Sequence, residues 1–162
     1  MTLHFITKYF FSLKKIRLII KMVDANLIKE LKEMREKGPG APADALKMYE
    51  FMKQLALEND ELKEELEDID TIIVQQEVTD ISFVYWIKFG EGAVDYAEGP
   101  SDDATVTMKA AQATWSGLSS GEIDSTSAYM SGDLVIEGNL QDAIAYGELL
   151  GLAMELGAEL LE

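Results

Sequence analysis

The sequence predicts an α+β fold, a mostly antiparallel sheet of about five strands covered by helices, and three observations carry that prediction. Between residues 72 and 137, short runs alternate apolar and polar residues at a period of two, each bounded by glycine, proline or aspartate. Before and after that stretch, apolar residues recur at three-to-four spacing, the mark of amphipathic helices. Strands grouped together and flanked by helices fit a sheet with its helices on one face.

The elements follow in chain order. Asp24 is placed to cap a short helix in which Leu27, Ile28, Leu31 and Met34 share a face, and the cluster from Gly38 to Pro42 stops it. A second helix is expected over residues 43–68, with Ala45, Met48, Tyr49, Met52, Leu55, Ala56, Leu62 and Leu66 on its apolar side. Its acidic run, Glu58 to Glu67, reads as a solvated face, because the stripe is too short for the sustained heptads of a coiled coil. Strands are expected over residues 72–78 and 81–89, joined by Thr79-Asp80, a hairpin turn that lacks the favoured glycine. The second run puts Phe83, Tyr85 and Ile87 on one face and Ser82, Val84, Trp86 and Lys88 on the other.

Gly90-Glu91-Gly92 turns the chain into a short strand over residues 93–96, and Gly99-Pro100 breaks it. Thr105 and Thr107 mark a strand over residues 103–108, and a short helix is expected over 109–118. Asp124 can accept hydrogen bonds from the first amides of another short helix. Gly132 suits the turn after it, a fifth strand covers residues 134–137, and Gly138 lets a long helix, residues 140–161, leave that strand sharply.

Composition narrows the function. At 162 residues and 48% apolar content, the chain is long enough for one compact domain with a real core. Its net charge of −16 opposes nucleic acid and anionic bilayers as partners of the body. Residues 1–21 are the exception, with five bases and no acid. They read as a basic tail: upstream sequence ahead of a start at Met22, or a basic amphipathic anchor. A signal peptide is disfavoured, because charges interrupt the apolar run and no small-x-small cleavage site follows. Residues 22–68 form a helical N-terminal region and residues 69–162 a strand-rich part with its closing helix, one globular unit overall.

With no cysteine, thiolate chemistry and disulfides are excluded, and a cytoplasmic setting fits. His4, in the tail, is the single histidine, so Ser-His-Asp catalysis and histidine-ligated zinc have no basis in the body. Gly90-Glu91-Gly92 lacks the third glycine and the following helix of a dinucleotide fingerprint. Asp102-Asp103 lacks the alternating acids of a calcium loop. No catalytic residue, cofactor or metal is therefore expected.

The closing helix is unusually apolar. Leu140, Ala143, Ile144, Gly147, Leu150, Gly151, Met154, Ala158 and Leu161 share a broad face, which Leu149, Leu152, Ala153 and Leu156 widen further. Such a helix has either core on both sides or a cavity beneath it, and the residues alone favour plain core packing.

A specific succession changes that balance. The strand Asp103-Ala-Thr-Val-Thr-Met108 is followed by a short helix, then by Ser120-Gly-Glu-Ile-Asp-Ser-Thr-Ser-Ala-Tyr-Met-Ser-Gly-Asp-Leu-Val-Ile-Glu-Gly-Asn139, and then by the closing helix. The arrangement resembles the sterol carrier protein type-2 family over roughly residues 69–161. The resemblance implies an apolar tunnel under the closing helix for fatty acyl chains, sterols or other lipids. Matched by position, it implies that Trp115, Leu118, Tyr129, Met130, Leu134 and Ile136 line or border the tunnel, together with Phe83, Tyr85 and Ile87 of the sheet and Ile144, Leu150 and Met154 of the closing helix. The chain departs from many members in its strong acidity and in its Gly38 to Pro42 elbow.

The implied function is noncatalytic binding and intracellular transfer of a lipid, sterol-like or fatty acyl ligand, with membrane contact transient or through the basic tail. The alternative is an accessory or scaffold domain whose apolar pocket receives a partner peptide or helix.

Overall fold

A computed structural model describes residues 23–37 and 41–161. The basic tail and residues 38–40 of the glycine-proline elbow lie outside the described residues. The elements are α1 (Ala25–Lys37), α2 (Asp44–Glu58), α3 (Asp60–Glu67), β1 (Ile72–Val78), β2 (Phe83–Gly90), β3 (Ala93–Glu98), β4 (Val106–Ala110), α4 (Gln112–Ser120), α5 (Ser125–Ser131), β5 (Leu134–Gly138) and α6 (Leu140–Leu161). The expected α+β architecture is present, with six helices among the described residues and one five-stranded sheet.

The strand order is β3-β2-β1-β4-β5. β1 and β2 form the expected hairpin, with Val78 opposite Phe83, and β2 pairs antiparallel with β3. β4 returns parallel to β1, with Gln76 beside Met108, and β5 closes the other edge antiparallel to β4. One face carries Glu77, Lys88, Lys109 and Glu137, and Lys109 reaches Glu137 at 2.8 Å and Glu77 at 3.8 Å. The opposite face carries Val74, Tyr85, Ile87, Phe89 and Val106, all buried in the core beside Phe51, Met52 and Leu55 of α2 and Ala153 and Leu160 of α6.

Several boundaries depart from the expected ones, among them the end of β3, which runs on to Glu98, and the start of β4, at Val106 rather than residue 103. The helix expected over residues 43–68 is two helices, because Asn59 takes extended backbone and its side chain accepts a hydrogen bond from the Leu62 amide at 3.1 Å. Asn59 thus caps α3 while its own amide donates to the Leu55 carbonyl, so both helix ends are satisfied at one residue. The hairpin turn occupies residues 79–82, with Ser82 at a positive φ of 53°, so β2 starts at Phe83. Lys109 and Ala110, expected to begin a helix, belong to β4 and pair with Val135 and Leu134.

Asp24 caps α1 as its position suggests, accepting from the amides of Asn26 and Leu27 at 2.7 and 3.3 Å. Gly138, at a φ of 99°, holds the β5–α6 corner against β4, where a Cβ would fall 2.6 Å from the Thr105 carbonyl oxygen. The same carbonyl accepts the Asn139 amide, which fixes where α6 departs. Gly157 lets α6 approach α2 so closely that a Cβ there would meet the Phe51 ring at 2.6 Å.

Candidate ligand cavity

The closing helix has two adjacent working faces. Ala143, Tyr146, Leu149, Ala153, Gly157 and Leu160 are buried. Rotated from that stripe, Gly147, Leu150, Gly151 and Met154 join Ala143 and Tyr146 in the wall of a cavity of about 740 Å³. The sequence left core packing and a cavity as alternatives for this helix; it has both.

The cavity lies between α6, the first half of α2, the β1, β2 and β4 part of the sheet, and α4 with the turn that follows it. Met48 of α2, Val78 of β1, Met108 of β4 and Ile123 of the α4–α5 connection contribute apolar wall. Trp115 is held in place because its indole N–H donates to the Glu77 carbonyl at 3.1 Å, tying α4 to β1. Gly121, Ser125, Gly151 and Met154 are lining residues that are also exposed, so the cavity opens on that side.

Of the twelve residues singled out from the sequence, Tyr85, Trp115, Leu118, Leu134, Leu150 and Met154 line this cavity. Phe83 packs on the Tyr85 ring at 5.4 Å, Ile87 is fully buried, and Ile136 packs against the core from β5; none of the three is in the wall. Tyr129, Met130 and Ile144 are also outside it and exposed, Met130 at 81% and Ile144 at 47%. The reason is helical phase. α5 buries Ala128, which turns the next two side chains outward, and Ile144 lies about 100° around α6 from the inward Ala143.

Sequence reasoning passed over the polar part of the wall. Tyr49 and Tyr146 are buried, and their hydroxyls meet at 2.7 Å. Tyr85 lies beside them, its ring 6.0 Å from that of Tyr49. Burial raises all three phenols above the ordinary tyrosine value, Tyr49 and Tyr85 well above it, and for Tyr49 the neighbouring Tyr146 adds to the effect, so all stay neutral at physiological pH. Gln76 is 2% exposed and lines the same region. Its amide offsets a little of the rise at Tyr49 and Tyr146, yet its Nε2 has no hydrogen-bond partner of good geometry.

Among the described residues, the charged groups that line the cavity are two carboxylates, Asp44 and Asp124. Asp124 caps α5, accepting from the Ser127 amide at 2.9 Å and its hydroxyl at 2.8 Å, which lowers its pKa below the ordinary aspartate value. Among the described residues no cluster of histidine, cysteine and acidic side chains is arranged to hold a metal ion. No helix among them is long and apolar enough to cross a membrane.

The fold has solved counterparts. A protein described as "UbiJ-SCP2 Ubiquinone synthesis protein" is 22% identical, with a TM-score of 0.54 over 69% of this chain and 96% of that one. A double mutant of the sec-alkyl sulfatase PisA1 is 19% identical with a TM-score of 0.50, but the match spans 64% of this chain and only 16% of the sulfatase. Sterol Carrier Protein 2 from Yarrowia lipolytica, in its apo form, is 16% identical over 66% of this chain and 89% of that one, with a TM-score of 0.46. No curated protein matches the chain. The profile of the SCP-2 sterol transfer family matches residues 51–151, beginning within α2 and running into the cavity-lining turns of α6. That match takes in the sheet, α4, α5 and most of the cavity wall, and with more than half of the sequence inside it, the chain belongs to the SCP-2 sterol transfer family.

Proposed function

We propose that the protein is a noncatalytic carrier that holds one long apolar molecule, a lipid, in the cavity between α6 and the sheet. The observation that carries this reading is the cavity itself. Its volume of about 740 Å³ falls in the range of small-molecule sites, and its wall is largely apolar, with four methionines, three leucines, Trp115 and three neutral tyrosines among the lining residues. Membership of the family implies lipid binding or transfer in general.

Tyr85, Trp115, Leu118, Leu134, Leu150 and Met154 are the proposed contacts, with Phe83, Ile87 and Ile136 flanking them on the same face of the sheet. Burial of ligand hydrocarbon supplies the affinity, at about 25 cal/mol per Å² of apolar area before the cost of ordering the ligand. The open side near Gly121 and Met154 is the proposed route of entry. The net charge of −16 opposes lasting adhesion to anionic bilayers, so membrane contact during exchange is brief, and the cysteine-free sequence suits a cytoplasmic carrier.

Titration of the folded protein with Nile red, a neutral apolar fluorophore, tests the reading. Saturable binding in the micromolar range or tighter is expected; a linear, unsaturable response would overturn it.

A further inference from the structure

We infer that the polar end of the ligand is an uncharged carbonyl, received by Gln76 and the Tyr49–Tyr146 pair, so that the cavity selects a neutral ester or ketone lipid over a fatty acid anion. The inference rests on the reading of the cavity as a lipid site. It adds the chemical class of the cargo.

Alternation along β1 points Val74, Gln76 and Val78 to the helix-covered face, so an amide sits where the pattern calls for an apolar side chain. Gln76 is 2% exposed and lines the cavity, and its amide reaches the Tyr49 and Tyr146 phenols while its Nε2 makes no hydrogen bond of good geometry. A buried amide donor in apolar surroundings is costly unless something accepts its hydrogen bond. Beside it, the Tyr49 and Tyr146 hydroxyls bring two protons to one mutual bond at 2.7 Å. One phenolic proton is therefore spare. Two donors converging on one region match the two lone pairs of a single carbonyl oxygen.

The charge pattern sets the second half of the preference. Among the described residues no lysine, arginine or histidine lines the cavity, and its charged lining groups are the carboxylates Asp44 and Asp124. A carboxylate head group would lose its hydration with no lining cation to replace it. A neutral carbonyl avoids that cost.

Competition against bound Nile red by methyl palmitate, palmitate and hexadecane, at mildly alkaline pH and below their aggregation concentrations, tests the inference on the full chain. Methyl palmitate should compete at least about tenfold better than palmitate, the effect of one satisfied buried donor. Gln76→Leu is close in size and leaves no new group unpaired, so it should fold. It should weaken methyl palmitate about tenfold and leave hexadecane binding as tight or tighter, since the wall becomes more apolar. The Tyr49→Phe, Tyr146→Phe double variant, which removes the spare proton, should independently weaken methyl palmitate by a smaller factor, again without weakening hexadecane. Palmitate equal to or better than the ester would overturn the inference, as would Gln76→Leu shifting ester and alkane alike or shifting neither. Failure of Nile red to bind the folded wild-type protein would instead overturn the carrier reading itself, and this inference with it.

Discussion

The Tyr49 and Tyr146 hydroxyls meet at 2.7 Å across 97 residues of sequence, joining α2 to the closing helix at the wall of the cavity. The contact does two things. It fixes the spacing of the helices that enclose the cavity, and it keeps two buried polar atoms satisfied without any charge. Both phenols have pKa values raised by burial, above the ordinary tyrosine value of about 10. In the native state they therefore hold their protons beyond the pH at which an unfolded tyrosine loses its own. By linkage, the stability they contribute is complete below about pH 10 and falls as pH rises above it. Chemical denaturation as a function of pH should show an alkaline loss that is smaller in the Tyr49→Phe, Tyr146→Phe double variant. An identical loss in wild type and double variant would mean that these phenols do not titrate on unfolding.

Gly157 and Gly147 lie on the same helix but answer differently to the same change. Alanine gains about 1 kcal/mol of helix propensity over glycine at either site. At Gly157 the new methyl would meet the ring of Phe51, a fully buried side chain, at 2.6 Å, and such overpacking costs about 1–3 kcal/mol. At Gly147 nothing lies within 4 Å. Gly157→Ala should therefore lose about 1 kcal/mol of stability and Gly147→Ala should gain up to about 1 kcal/mol, as urea denaturation of the two variants will show. A gain at both positions would mean that α2 and α6 do not pack this closely.

Leu150 and Ile144 separate the cavity face of α6 from its exposed flank. Leu150→Asp places a charge in the cavity wall, whereas Ile144→Asp places one on a side chain that is already 47% exposed. Nile red affinity, normalised to folded fraction, should fall more than about tenfold for Leu150→Asp and less than about twofold for Ile144→Asp. Equal losses would put Ile144 in the wall and require a different rotation of α6.

Much of this fold is legible in the chain because local chemistry and tertiary packing agree. The closing helix begins and ends where its apolar run does, and β1 spans the predicted seven residues. Asn59 was hidden because Leu55, Leu62 and Leu66 keep helical spacing across the break; the signal was an asparagine followed by Asp60 and Glu61, a cap and an acidic first turn. The site was legible only in its apolar half. Leu150 and Met154 follow from the helical pattern, and Trp115 from the family resemblance. Tyr49, Gln76 and Tyr146 look like ordinary core positions until α2, β1 and α6 are brought together. Gln76 did leave a trace, a lone amide between inward Val74 and Val78. Ile144 and Met130 show the converse, since an apolar residue near a helix face can still turn to solvent by one step of 100°.

The most direct measurement of the central claim is native mass spectrometry of the full chain, purified gently and without detergent. The account predicts a population at the mass of one chain plus one lipid, converting to the bare chain on organic extraction, with the extracted molecule uncharged and long-chained. A protein that carries no lipid as purified, and that stays bare after incubation with vesicles containing neutral lipids, would contradict it.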